Sequence, residues 1–271
     1  MTNAAHLRFT VLLLVLTGAL SLRSVAASPA VPLNDLVART STKVSGLLDE
    51  FSDVKCTERV LQEKLSHGGK VEYKEESTYD YLVILSNVGG ELTLDESRVE
   101  QEKAAHKKNL PLLVSNGFAM GFLVFHPYYI SSFDFRDDGD DTLDGKPVRK
   151  VHFLHIRGTR SITALTLRGR EYPLDMEGDA WIDPASGAIE RISSAIPVGI
   201  DDLGLRMVRT DVTYAPVSFH DAGGSPWLPL IATVEVETPR QHWRNTHRFS
   251  DYKRFSVSTQ ESVKEESLNK K

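Results

Sequence analysis

The chain has a single cysteine, Cys56, in 271 residues. No intramolecular disulfide can form, so even in an oxidising compartment the fold rests on its core alone. A lone cysteine reads first as a small buried apolar residue. A free reactive thiol and an intermolecular bridge are the other options. The sequence also lacks an excess of basic charge, with 32 Lys and Arg against 37 Asp and Glu and a net charge of −5. This argues against a generic nucleic-acid binder, which needs a basic face to neutralise phosphates. Missing too are the HExxH helix, the paired cysteines of a zinc site, the GxSxG elbow, the GxGxxG turn and the P-loop. Nucleotide chemistry therefore has no support, and no cofactor is expected.

What is present begins with a leader. Arg8 makes a short positive start, Phe9 to Leu22 is apolar, and Val25-Ala26-Ala27 supplies small residues at a cleavage position. This is the pattern of a secretory signal peptide over residues 1–27, with an uncleaved anchor as the alternative. The expected location is periplasmic or secreted. Residues 28–255 are expected to form one domain, and the polar run 256–271 a frayed tail.

After Pro32 the spacing is helical. Asn34 stands at an N-cap position, and Leu36, Val37, Val44, Leu47, Leu48 and Phe51 recur in threes and fours. The period then changes to two. Val71, Tyr73, Tyr79, Tyr81, Val83 and Leu85 share one face, while Glu72, Lys74, Glu76 and Asp80 hold the other. The same grammar predicts further strands over 56–65, 91–99, 133–136, 148–156, 162–168, 178–182, 189–193, 207–214, 230–236 and 246–255. Turn signals such as Gly68-Gly69, Asp144-Gly145 and Ser186-Gly187 separate them. The predicted fold class is mainly β (α+β). A large curved antiparallel sheet of about ten strands is covered by an N-terminal amphipathic helix and an apolar helical or loop segment.

That apolar segment runs from Leu110 to Phe133 without one Asp, Glu, Lys or Arg. Gly117, Gly121 and Pro127 interrupt it, which argues against a membrane span. It is either a core plug packed against the sheet or the wall of a ligand cavity, and both can hold together.

Other constellations are weak. His152 and His155 lie three apart on one strand, so they point to opposite faces and cannot chelate together. The acidic run Asp137 to Asp141 with Asp144 offers Asp140 and Asp144 as weak Ca²⁺ candidates. It lacks the bidentate Glu of an EF-hand and reads as a solvated hairpin loop. Trp181, Trp227 and Trp243 are dispersed among strands, as packing residues rather than a sugar platform. A dispersed Ser-His-Asp hydrolase site is invisible at this level.

Three phrases carry a resemblance. They are Leu143-Asp144-Gly145-Lys146-Pro147-Val148, then Gly178-Asp179-Ala180-Trp181-Ile182-Asp183-Pro184-Ala185-Ser186-Gly187 followed by Ile189 to Ile192, and Trp227-Leu228-Pro229 leading to Tyr252 and Phe255. With the leader and helix before them, they resemble the periplasmic outer-membrane lipoprotein-carrier and lipoprotein-sorting superfamily. Its relatives include the outer-membrane lipoprotein receptor and the N-terminal domain of a sigma-factor regulator. The resemblance implies an open half-barrel whose concave apolar face holds acyl chains. The family's retaining arginine is not identifiable here by motif. The cavity candidates are Tyr73, Tyr79, Tyr81, Val83, Leu85, Phe118, Met120, Phe122 and Phe125. The expected function is a non-catalytic, monomeric periplasmic binding protein for a lipid or lipoprotein acyl chain. The alternative is a cell-envelope interaction or sensor module on the same fold, without lipid cargo.

Overall fold

The computed structural model describes residues 31–51, 54–88, 91–101, 118–167, 170–219 and 225–254. The expected leader and polar tail lie outside the described residues.

Helix α1 spans Leu33–Phe51. It starts before Asn34, because the Pro32 carbonyl already accepts from the Leu36 amide at 3.0 Å; Asp35 in its first turn favours the helix dipole. Leu36, Thr40 and Val44, spaced by four, form its buried stripe.

The strands follow as β1 (Val54–Leu65), β2 (Val71–Val88) and β3 (Glu91–Glu100), then β4 (Phe133–Leu143) and β5 (Lys146–His155). Next come β6 (Ala164–Leu167), β7 (Arg170–Pro173), β8 (Glu177–Ile182) and β9 (Ile189–Ala195). The last three are β10 (Met207–Pro216), β11 (Trp227–Glu237) and β12 (His242–Arg254). Ten of them form one antiparallel sheet in the order β3-β2-β1-β12-β11-β10-β9-β8-β5-β4. The sheet does not close into a barrel: β3 and β4 are its two edges.

This order places β3 and β4, consecutive among the described strands, at opposite edges. The described part of the chain between them, residues 118–132, lies on the inner face. It holds a 3₁₀ helix over Phe118–Phe125 and a second over Ile130–Ser132, and the first touches α1, β9, β10 and β11. Phe122, Leu123, Val124 and Phe125 are all buried there, each worth about 2 kcal/mol of transfer free energy. The apolar segment from Phe118 onward is thus packed against the sheet as a plug, and residues 110–117 lie outside the described residues.

Alternation works as anticipated on the inner face. Val151, Phe153 and His155 of β5 are buried, whereas His152 between them faces outward. The β4–β5 turn is made by Asp144 (φ 50°) and Gly145 (φ 79°), a pair of left-handed residues that suits a tight hairpin. Two expectations need correction. The acidic run is not a loop: Asp137 to Asp141 belong to β4, with a register shift between Asp137 and Gly139. Arg149 on the neighbouring strand pairs with both Asp137 and Asp140 and so makes an acidic strand tolerable. The strand expected over 162–168 does not join the main sheet but pairs as β6 with β7 in a separate hairpin.

Gly178 marks where β8 meets its neighbours most closely. A Cβ there would sit 2.1 Å from the Ser193 carbonyl oxygen and 2.9 Å from Phe153 Cζ. Gly178→Ala is expected to cost about 3 kcal/mol, a Tm loss of roughly 6–12 °C by calorimetry. Gly46→Ala, in α1 with open space around it, is expected to stabilise by about 1 kcal/mol.

Candidate functional site

The inner face carries a cavity of about 380 Å³ between α1, the β8–β9 turn, the 3₁₀ plug and the adjoining ends of β10 and β11. Its floor is apolar: Val44, Phe122, Ile189 and Tyr214 are buried, with Leu47 and Trp227 beside them. Phe122 and Tyr214 meet edge to face at 5.7 Å. The rim is polar, with Arg39, Thr42, Lys43 and Ser186. One wall is a clamp between α1 and the β8–β9 turn. Arg39 Nη1 donates to the carbonyls of Pro184 at 2.5 Å and Ala185 at 3.2 Å. Gly187 lies so close that a Cβ would meet the Thr40 nitrogen at 3.1 Å. Asp183 shapes the turn by accepting from the Ala185 amide and the Ser186 hydroxyl.

Among the residues anticipated from sequence, Phe122 lines this cavity. Tyr81, Val83 and Phe125 are fully buried in the surrounding core. Tyr73 and Tyr79 are half-buried farther back along β2, where Tyr73 donates to Glu75. The side chains of Leu85, Phe118 and Met120 lie outside the described residues. Arg39, Lys43, Leu47 and Trp227 were not among the candidates. The signal for the two cations was an i, i+4 spacing on α1, but nothing in the spacing says what that stripe faces.

A second feature of the inner face is charged. Glu58, fully buried on β1, accepts two hydrogen bonds from Arg98 of β3, at 2.6 and 3.0 Å. It accepts a third from His247 Nδ1 of β12 at 2.8 Å, so that ring nitrogen carries the proton. Arg98 also pairs with Glu96 at 2.9 Å and lies over the Tyr81 ring at 4.9 Å. Burial alone would raise the Glu58 pKa, but the His247 and Arg98 donors outweigh it and hold the carboxyl below its usual range. Cys56, two residues before Glu58 on β1, feels the same burial without such donors to outweigh it. Desolvation, helped by the Glu58 charge, pushes its thiol up to about 12.

Two constellations have the composition of catalytic or metal sites. Thr159 Oγ1 is 3.3 Å from His155 Nε2, and His155 Nδ1 is 2.9 Å from Asp175. Yet Nε2 also faces the Arg160 carbonyl at 2.9 Å, and the Thr159 hydroxyl donates to the Ile156 carbonyl at 2.6 Å. The Thr159 hydroxyl is thus already donated to a backbone carbonyl, and His155 is held between the Asp175 carboxylate and the Arg160 carbonyl. The trio ties down a loop. On the outer face, Asp138, His152 and Asp179 bring ligand-type atoms within 4.8 Å of one another. There Arg136 pairs with Asp138 and Lys150 with Asp179, so cations already neutralise both carboxylates. Asp140 and Asp144, the earlier Ca²⁺ candidates, are not part of that group: Asp140 pairs with Arg149 and Asp144 makes the hairpin turn.

No family model matches the sequence, and no curated protein matches it. Solved structures do align with it over most of its length. A DUF1329 family protein from Desulfovibrio piger shares 12% identity over 83% of this chain and 93% of its own, with a TM-score of 0.43. A LolA superfamily protein from Nitrosomonas europaea shares 10% over 80% and 94%, with a TM-score of 0.39. An outer-membrane lipoprotein-sorting protein domain from Vibrio parahaemolyticus shares 13% over 83% and 94%, with a TM-score of 0.43.

Two outcomes follow from the buried charges. Because the folded-state pKa of Glu58 is depressed, its contribution is complete above the unfolded carboxylate range, near pH 4.3. It is lost as the pH falls below that range. In urea titrations from pH 7 to pH 3, Glu58→Gln is expected to start about 3 kcal/mol less stable, since it leaves Arg98 buried without its carboxylate, and to decline less steeply toward acid. Cys56 is expected to stay unmodified by a disulfide reagent at pH 8 in the native protein and to react fully in guanidinium. Rapid native labelling would contradict its burial.

Proposed function

We propose that the chain is a non-catalytic binding protein that holds an acyl chain in the cavity beside α1. One observation carries this reading: an apolar floor of Val44, Leu47, Phe122, Ile189, Tyr214 and Trp227 surrounds volume that the side chains of the described residues leave unfilled. Its size is at the lower end of the range for ligand pockets, about 300–1,000 Å³. Each methylene moved there from water contributes about 0.8 kcal/mol. The mechanism is passive. The chain is shielded from water while the α1 clamp on the β8–β9 turn is closed and released when the clamp opens. The reading includes a secretory leader ending near Ala27, a monomer, and a periplasmic or secreted location. No helix among the described residues is long and apolar enough to cross a membrane.

A second reading, an envelope interaction or sensor module, is favoured by one observation. Ile84 and Val99 are 47% and 62% exposed on the outer face near the β3 edge. Exposed apolar side chains on and beside an open edge strand suit a protein partner.

The neutral dye N-phenyl-1-naphthylamine tests the first reading on the purified protein. Its fluorescence is expected to rise and shift to the blue on binding. Gly46 lines the cavity, and a side chain added there meets open space. Gly46→Leu is therefore expected to remove most of the dye response while stability holds or rises. An equal response from both proteins would take the cavity out of the account.

A further inference from the structure

Resting on the cavity reading above, we propose that this site selects a single-chain amphiphile with an anionic head, and that Arg39 and Lys43 at the rim hold the head. The two cations are four residues apart, so they lie on one stripe of α1, and both line the cavity. Among the described residues no Asp or Glu shares that lining. Lys43 is exposed and makes no ion pair among the described residues. Arg39 is fixed in place by the Pro184 and Ala185 carbonyls. These are neutral acceptors, so they position the guanidinium without cancelling its charge. The carboxylate of the adjoining turn, Asp183, spends its oxygens on the Ala185 amide and Ser186 hydroxyl.

The setting sharpens the effect. The chain carries a net charge of −5, so a positive pair beside an apolar opening is a local reversal of sign that attracts an anion. Val44, the residue after Lys43, is buried on the cavity floor. A head at Lys43 therefore places its first chain carbons directly on apolar surface. Volume sets the chain count. A methylene takes up about as much space as a water molecule, about 30 Å³, so a cavity of about 380 Å³ holds roughly a dozen. That is one medium chain and not a bundle of them.

Decanoate, decanol and decyltrimethylammonium share one chain length and differ in head charge. Each is titrated against bound N-phenyl-1-naphthylamine at pH 8 in low salt. Decanoate is expected to displace the dye about tenfold better than decanol, with the cation weakest, and 0.5 M salt is expected to narrow the gap. Lys43→Gln is expected to weaken decanoate about fivefold and leave decanol unchanged. Lys43→Glu should move the preference toward decyltrimethylammonium. Equal displacement by decanoate and decanol, or a ranking indifferent to Lys43→Glu, overturns head selection while the cavity stands. If none of the three displaces the dye, or the dye does not bind, the cavity reading falls as well.

Discussion

The sheet's edge order is the constraint on which the rest depends. Strands β3 and β4 follow one another among the described strands yet lie at opposite edges of an unclosed ten-stranded sheet. Residues 118–132 between them lie against the inner face, where a charge would need a buried partner. None of them is Asp, Glu, Lys or Arg. Backbone groups are restricted in the same way, and short 3₁₀ turns answer part of that need. The His126 amide donates to the Leu123 carbonyl at 2.9 Å and the Tyr129 amide to the His126 carbonyl at 2.9 Å. At Gly121 a Cβ would meet Ile192 at 3.5 Å, an ordinary van der Waals contact.

Two rods laid in a curved trough do not fill it. Helix α1 and the crossing segment cover the central strands and make a dry core there, where Val124, Phe125, Ala180 and Val234 are essentially inaccessible. The gap between rod and trough is the cavity, bounded by the contact that pins α1 to the β8–β9 turn, at Arg39 and Gly187. Toward the β3 edge the inner face changes character. There the aliphatic side chains of Val60, Val83 and Leu92 are joined by the Glu58, Arg98, Glu96 and His247 network with Tyr81. Such a network does not gain much over a hydrophobic replacement, but it demands one register of β1, β3 and β12. A slip by one residue would strand its charges on the wrong face.

Much of this was legible in the chain. Period-two alternation located the strands because one face is wet and the other dry, and Asp144-Gly145 marked a hairpin because both residues accept a left-handed backbone. The failures have physical causes. Asp137 to Asp141 looked like a loop because strand propensity is local, whereas Arg149, which makes the acidic strand tolerable, is on the partner strand. The β6–β7 hairpin was missed because its residues have strand character and only tertiary pairing decides which sheet they join. For the cavity the limit is sharper. Apolar residues in the plug were visible, but a core residue and a lining residue are spelled alike. Phe122 lines the cavity and Phe125 does not, and that difference is made by where α1 runs. Cys56 was the easier case, since a buried thiol and an apolar side chain ask for the same environment.

Thr159, His155 and Asp175 have the composition of a nucleophilic triad, but the Thr159 hydroxyl already donates to the Ile156 carbonyl, and His155 is held by Asp175 and the Arg160 carbonyl. The cavity differs: it has an apolar floor, unfilled volume and two cations not matched to carboxylates among the described residues. For the acyl chain proposed above, burying roughly ten methylenes would give about 8 kcal/mol gross, against an association cost of about 4 kcal/mol or more. On that proposal the surplus is modest, and the chain would leave again when the α1 clamp loosens. In that regime an exposed cation adds little total affinity, yet a small added term decides which head group is retained, because every competing chain gains the same apolar term.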